Sequence, residues 1–157
     1  MCLEQGLTGS RACNRRGDYV GSLHQNHWKV VFHDEFAPEY RQLSREVQTE
    51  LIALTVILGE KGPLLGRPHV DTLKGSSHAN MKELRFNADG GVWRVAFAFD
   101  SERKAIVLVA GDKGGMPMDR FYLGLIRVAD ERFNQHLNKL NAKQRKRNVS
   151  KTGRDSQ

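Results

Sequence analysis

Between residues 28 and 140 the apolar positions fall into runs of strand or helix period, in a fixed order. Trp28-Lys29-Val30-Val31-Phe32 reads as a short strand. Phe36, Tyr40 and Leu43 then recur at i, i+4 and i+7, with Asp34 placed to cap the helix and Pro38 near its first turn, where proline is tolerated. Ser44 marks a second start. Val47, Leu51, Leu54 and Leu58 form an amphipathic stripe that Gly59 and Gly62-Pro63 end. The pattern predicts two antiparallel helices, 35–43 and 45–58, joined as a hairpin. Residues 62–80, with Pro63, Gly66, Pro68, Gly75 and Ser76-Ser77, read as a loop.

The period then changes to two. In 81–86, Leu84 and Phe86 share one face, and Met81, Glu83 and Arg85 the other. In 92–99, Trp93, Val95, Phe97 and Phe99 alternate with Arg94, Ala96 and Ala98. Asn87–Gly91 and Asp100–Arg103 have the composition of hairpin turns, and Lys104–Lys113 is a third strand. The large apolar face should pack on helices, and the small-residue face bearing Arg94 should be open. A last helix follows over 119–140, capped by Asp119, with Tyr122, Ile126, Ala129, Phe133, Leu137 and Leu140 as its stripe. The order is β-α-α-β-β-β-α. It predicts an α+β domain, an antiparallel sheet packed against a helix hairpin and a C-terminal helix.

The ends differ from this middle. Residues 1–25 have no period and are rich in Gly, Ser, Asn and Arg, so they are expected to be disordered or a translated extension. The net charge of +7 is uneven: residues 141–157 carry six basic residues and one acid, whereas 26–140 carry 16 basic and 15 acidic. The reading is thus an extension (1–25), a folded domain (26–140) and a basic, unstructured tail (141–157). Such a tail favours polyanions without sequence choice, or is simply a solvated terminus. At 157 residues a single domain is natural. No apolar run approaches the roughly 18 residues of a membrane span, and no signal-peptide core is visible. Cys2 and Cys13 have no metal spacing, and a reduced cytoplasm fits them.

Charge inside strands is costly to bury, so Arg85, Arg94 and the exit residue Lys113 are expected to face a groove. Three local sequences carry a resemblance: Glu83-Leu84-Arg85-Phe86, Trp93-Arg94-Val95, and Leu108-Val109-Ala110-Gly111-Asp112-Lys113 followed by a helix. In that order, after a helix hairpin, they resemble the RelE/ParE superfamily of bacterial type II toxins, in its HigB-like and phage-derived branch. The resemblance spans roughly 27–140. It implies a small RelE-like, microbial-RNase-like domain. Many members cut mRNA, usually on the ribosome. The ParE branch poisons DNA gyrase without nuclease activity. A neutralising antitoxin, often a helix-turn-helix protein, is implied as partner, with mRNA and the ribosome as targets and no membrane.

RNA cleavage on such a fold needs no metal or other cofactor. The 2′-hydroxyl attacks the adjacent phosphorus, and preorganised guanidinium groups meet the developing charge. Arg94 matches the family's central-strand arginine, and its alternative is a salt bridge on a solvent-facing sheet. Arg85 matches a strand position used for proton transfer or phosphate contact, or else pairs with Glu83. Glu83 stands where some ribonuclease members carry lysine. It is a base, or a neighbour of Arg85. Lys113 corresponds to a basic cluster, with Gly111, Gly114 and Gly115 letting a phosphate approach, or is a loop lysine. Tyr122 falls near a tyrosine that stacks on a base or moves protons, and also fits its helix's apolar stripe. The resemblance thus implies Arg94, Arg85, Lys113 and Tyr122 as catalytic, and Lys82, Glu83 and Lys113 as RNA-binding, although Lys82 falls on the strand face opposite Arg85. His69 and His78 lie before the sheet outside any matching motif, His33 and His136 read as surface or capping residues, and no His, Cys or Asp set has metal spacing.

Overall fold

A computed structural model describes residues 27–152. Strand β1 (Lys29–Phe32) leads into α1 (Phe36–Gln42) and α2 (Arg45–Lys61). The hairpin forms where the pattern places it. The Ser44 hydroxyl accepts the Val47 amide, and Gln48 donates to the carbonyls of Tyr40 and Leu43, stapling one helix to the next. Val47, Leu51, Leu54 and Leu58 are buried, as their spacing predicts. Asp34 does not cap α1. Glu35 holds that position without a side-chain bond, and Asp34 instead accepts from Lys139 at 2.7 Å. Helix α2 runs through Gly59 and ends at Gly62, whose φ of 55° turns the chain. A β-carbon there would meet the Trp28 ring.

Beyond a short 3-10 turn (Gly62–Leu64) come β2 (Val70–Thr72), β3 (Met81–Ala88), β4 (Gly91–Phe99), β5 (Lys104–Asp112) and α3 (Met118–Thr152). Strand β2 lies inside the segment read as loop. Three residues are too few to show alternation, and β2 gets its order from pairing with β3, Asp71 opposite Glu83. Between β3 and β4 the chain reverses through Asp89 and Gly90, both at positive φ, a two-residue turn that suits the right-handed strand twist. The sheet order is β1-β5-β4-β3-β2. It is not wholly antiparallel as expected, because β1 pairs parallel with β5.

One sheet face, with Leu84, Val95, Phe97 and Val107, packs on α1 and α2. The other is not open. Ala96 and Ala98 are fully buried under Phe121, Leu125, Ala129 and Phe133 of α3. Small side chains let the helix close on the sheet, so the face that looked vacant in sequence is a second core. Helix α3 is fastened along its length. Asp130 accepts from the Ser77 amide and from both Ser76 and Ser77 hydroxyls, His78 meets Asn134 at 3.0 Å, and His136 meets the buried Asp100 at 2.9 Å. Arg132 is buried, pairs with Glu35 and Glu39, and donates to the Leu108 carbonyl at 2.7 Å. Leu108 is the residue skipped between the pairs Ala96↔Val109 and Phe97↔Val107, so Arg132 satisfies the carbonyl of a β-bulge.

The helix also departs from expectation at both ends. Asp119 sits inside its first turn rather than before it. At the far end α3 does not stop at 140 but continues to Thr152, so residues 141–152 are helical and not an unstructured tail. Neither Gly nor Pro interrupts 141–152, and Ala, Gln, Lys and Arg all support a helix. The segments 1–26 and 153–157 lie outside the described residues, and with them the expected extension.

Candidate active site

Three strands and one helix bring five polar side chains to one place. The register sets Arg85 opposite Arg94, Glu83 opposite Ala96, and Asp71 of β2 opposite Glu83. Because side chains alternate along a strand, Glu83, Arg85 and Arg94 emerge on the α3 side of the sheet. Tyr122, in the first turns of α3, closes over them.

Glu83 is the hub. Its Oε1 accepts the Tyr122 hydroxyl at 3.3 Å and lies 3.8 Å from Arg85 Nε and 3.9 Å from Arg94 Nε. Arg85 reaches outward to Asp71 at 3.1 Å, and Asp71 also holds Arg67. Arg94 donates to the carbonyl of Trp93 at 2.8 Å, which fixes its guanidinium against its own strand. The cluster is graded. Glu83 and Arg94 are 4% and 6% exposed, while the Arg85 and Asp71 side chains are each 28% exposed. Burial pushes the Glu83 carboxyl above the ordinary glutamate range, against the Tyr122 hydrogen bond and the two arginines. Burial likewise raises the Tyr122 hydroxyl, helped by the Glu83 charge.

Two buried polar atoms of the cluster, Glu83 Oε2 and Arg94 Nε, have no hydrogen-bond partner in the protein. Most buried polar groups are satisfied. This pair is therefore held by charge and packing rather than by hydrogen bonds at these atoms. The arrangement offers a carboxyl poised to take or give a proton, a phenol beside it, and one part-exposed guanidinium, Arg85, suited to an anionic oxygen, with that of Arg94 buried behind it.

The other expected residues lie apart. Lys82 is on the opposite sheet face, the side of α1 and α2, and does not join the cluster. Lys113 leaves the sheet end, where its amide donates to the Val92 carbonyl. Gly111 does not leave room for a phosphate, since the Phe121 ring occupies the space where its β-carbon would be. The Gly114 amide is taken by Asp112. His78 packs edge-on to Phe133, and His136 is paired with Asp100. His33, read as a surface or capping residue, is 5% exposed, and its Nδ1 accepts the Glu35 amide. Among the described residues no three His, Cys, Asp or Glu side chains are placed to hold a metal ion, and no helix is long and apolar enough to cross a membrane. Asp71 was missed in sequence because its strand was. The only hint was its i, i+4 spacing from Arg67.

Comparison with known proteins gives four matches. The family described as "Phage derived protein Gp49-like" matches residues 38–134, which include every member of the cluster. A protein described as "Putative toxin HigB2" of Mycobacterium tuberculosis is 44% identical over 112 residues, 71% of this chain and 55% of that protein. "Putative toxin HigB3" of the same organism is 42% identical over 90 residues, 57% of this chain and 76% of its own length. The chain therefore spans only about half of the first of these relatives. Among solved structures, an arginine-substituted E. coli toxin RelE in the free state aligns with a TM-score of 0.47 at 14% identity, over 64% of this chain and 94% of that one.

Proposed function

The chain belongs to the phage-derived Gp49-like protein family, and on that premise we propose that it is the toxin of a toxin–antitoxin pair that cleaves mRNA on the ribosome without a metal ion. The two relatives described as toxins support the first half of this reading. The second half rests on one observation: Glu83 gathers Tyr122, Arg85 and Arg94 around a single carboxylate oxygen, with two buried polar atoms left over.

In this reading the phosphate meets the exposed rim of the cluster. Arg85 contacts the non-bridging oxygens, and the Tyr122 hydroxyl lies beside it. The RNA 2′-oxygen loses its proton and bonds to the adjacent phosphorus. The bond to the 5′-oxygen breaks, leaving a 2′,3′-cyclic phosphate and a 5′-hydroxyl. Glu83 in its ionised form accepts the 2′-proton through Tyr122 and, now a carboxylic acid, returns a proton by the same path to the departing 5′-oxygen, an exchange that a carboxyl raised above the ordinary glutamate range favours. Arg94, held by its own strand, works from beneath as a positioning residue: its charge orients Glu83. An RNA target places the activity in the cytoplasm, and the cognate antitoxin is expected to be a helix-turn-helix protein.

A second reading is favoured by the balance of the cluster. Asp71 and Glu83 are shared among Arg67, Arg85 and Arg94, so each cation already has an acid beside it, as in a purely structural ion network. A non-catalytic toxin acting on DNA gyrase then fits. Induced expression in bacteria, followed by RNA integrity and DNA breakage, separates the two. Growth arrest with cut mRNA supports cleavage, provided that folded Arg85→Ala and Tyr122→Phe proteins lose it. Arrest with intact RNA and broken DNA supports the second reading.

A further inference from the structure

The last packed residue of α3 is Leu140, yet the helix continues to Thr152, about 18 Å further. Residues 141–151 are all exposed. This arm contains five Lys or Arg residues and no acid. Lys143, Arg147 and Lys151 follow one another at i, i+4 and i+8, with Lys146 beside them, so the charge lies along one side. Among the described residues its ion-pair partner on the body is Glu102, whose carboxylate lies 3.8 Å from Arg147 but is already bonded to Lys104 at 2.7 Å. The Glu102 carboxyl is held below its ordinary range chiefly by that Lys104 bond, with Lys143 and Arg147 adding to it.

Like charges at i, i+4 repel, and beyond Leu140 no packed face offsets that repulsion. A polyanion alongside would relieve it. We propose that the arm 141–152 is a docking surface for the phosphate backbone of structured RNA. The arm lacks what other partners require. Its one large apolar side chain is Val149, whereas a protein partner needs buried apolar or aromatic anchors and a membrane surface needs a continuous apolar face. Phosphate contact needs only cations in a row. The arm and the site share one helix, with Tyr122 and Lys143 about 30 Å apart along its axis. RNA held at one end is thereby kept near the other. The choice of RNA rests on the cleavage reading above; the charge argument does not.

The test is fluorescence anisotropy of the full chain with a labelled RNA hairpin across a salt series. The comparison protein carries Lys143→Gln, Lys146→Gln, Arg147→Gln and Lys151→Gln together, since glutamine keeps helix propensity. Four neutralised phosphates predict a log–log salt slope steeper by about 3 to 4 in the unmodified chain, and an affinity loss of about tenfold or more in the variant. Replacing the same lysines by arginine should preserve both. Tyr122→Phe should lose cleavage and keep binding, so failure of the site and failure of the arm are told apart. An unchanged slope in the glutamine variant overturns the inference. So does polyglutamate competing as well as RNA of equal charge, which would point to an acidic protein instead.

Discussion

Arg94 Nε stands 3.9 Å from Glu83 Oε1, near enough for charge to act and too far for a hydrogen bond. Each residue is buried, and each keeps a polar atom without a partner. The pair therefore senses ionisation more than it contributes cohesion, and the first expectation follows from its sign. The folded-state pKa of Glu83 is raised by burial, so its contribution to stability is complete below the ordinary value of 4.5 and is lost as pH rises through the folded value. Glu83→Gln should flatten that dependence and raise the relative urea midpoint at pH 8 compared with pH 4.5. A midpoint difference that does not change with pH would show that the carboxyl is not perturbed.

Function at the same cluster should be confined to one sheet face. Arg85→Ala is expected to lower RNA cleavage about 100-fold, the usual cost of losing one preorganised donor to a developing oxyanion. Lys82→Ala, on the opposite face, should cleave like the unmodified chain. Equal losses in both proteins, measured in single-turnover assays, would remove the cluster from the chemistry.

At Gly111 the Phe121 ring of α3 packs against the β5 backbone. An added β-carbon would lie 2.9 Å from the Phe121 ring. Gly111→Ala should cost about 1–3 kcal/mol by overpacking, and it should loosen the start of α3 with Tyr122 on it. Denaturant unfolding gives the first quantity, and hydrogen exchange of residues 118–126 the second.

His33 supplies an acid-side expectation. Burial lowers its pKa below 6.5, with Arg132 and Lys139 acting in the same direction and Glu35 and Asp34 against it. A base with a depressed folded pKa contributes stability that is present above 6.5 and lost as pH falls toward the folded value. His33→Asn, which can still accept the Glu35 amide, should lose less stability between pH 6.5 and pH 5 than the unmodified chain does.

In the helical layer, Leu58→Ala should destabilise by about 2–5 kcal/mol, since Leu58 is fully buried against the sheet. The same substitution at exposed Leu64 should fall within about 0.5 kcal/mol. Thermal or urea denaturation reads both.

These expectations draw on parts of the fold that were unequally visible in the residues. The stripe Val47–Leu58 and the turn Asp89-Gly90 were plain, because periodicity and positive-φ chemistry are local. Strand β2 was not, being three residues long and ordered only by its neighbour. The alternation in 92–99 put Arg94 on the right face but misjudged what lies above it. Two alanines read equally as an open surface or as a bed for a helix, and only the tertiary packing of α3 decides. The union of Glu83, Arg85 and Arg94 was foreseeable from strand period. Asp71 and Arg132 were not, since one depends on an unseen strand and the other on a bulge carbonyl.

The parallel pairing of β1 with β5 has a kinetic consequence. Lys29 meets Lys104 and Phe32 meets Val107, partners roughly 75 positions apart in the chain. The β3–β4 and β4–β5 hairpins close short loops and can form early, whereas β1 must wait for both hairpins and both short helices. On a growing chain, Phe32, Phe36 and Tyr40 can cluster with one another before β5 exists, but they have no sheet to rest on. Folding should therefore finish at the N-terminal edge, and substitutions in β1 should speed unfolding far more than they slow folding.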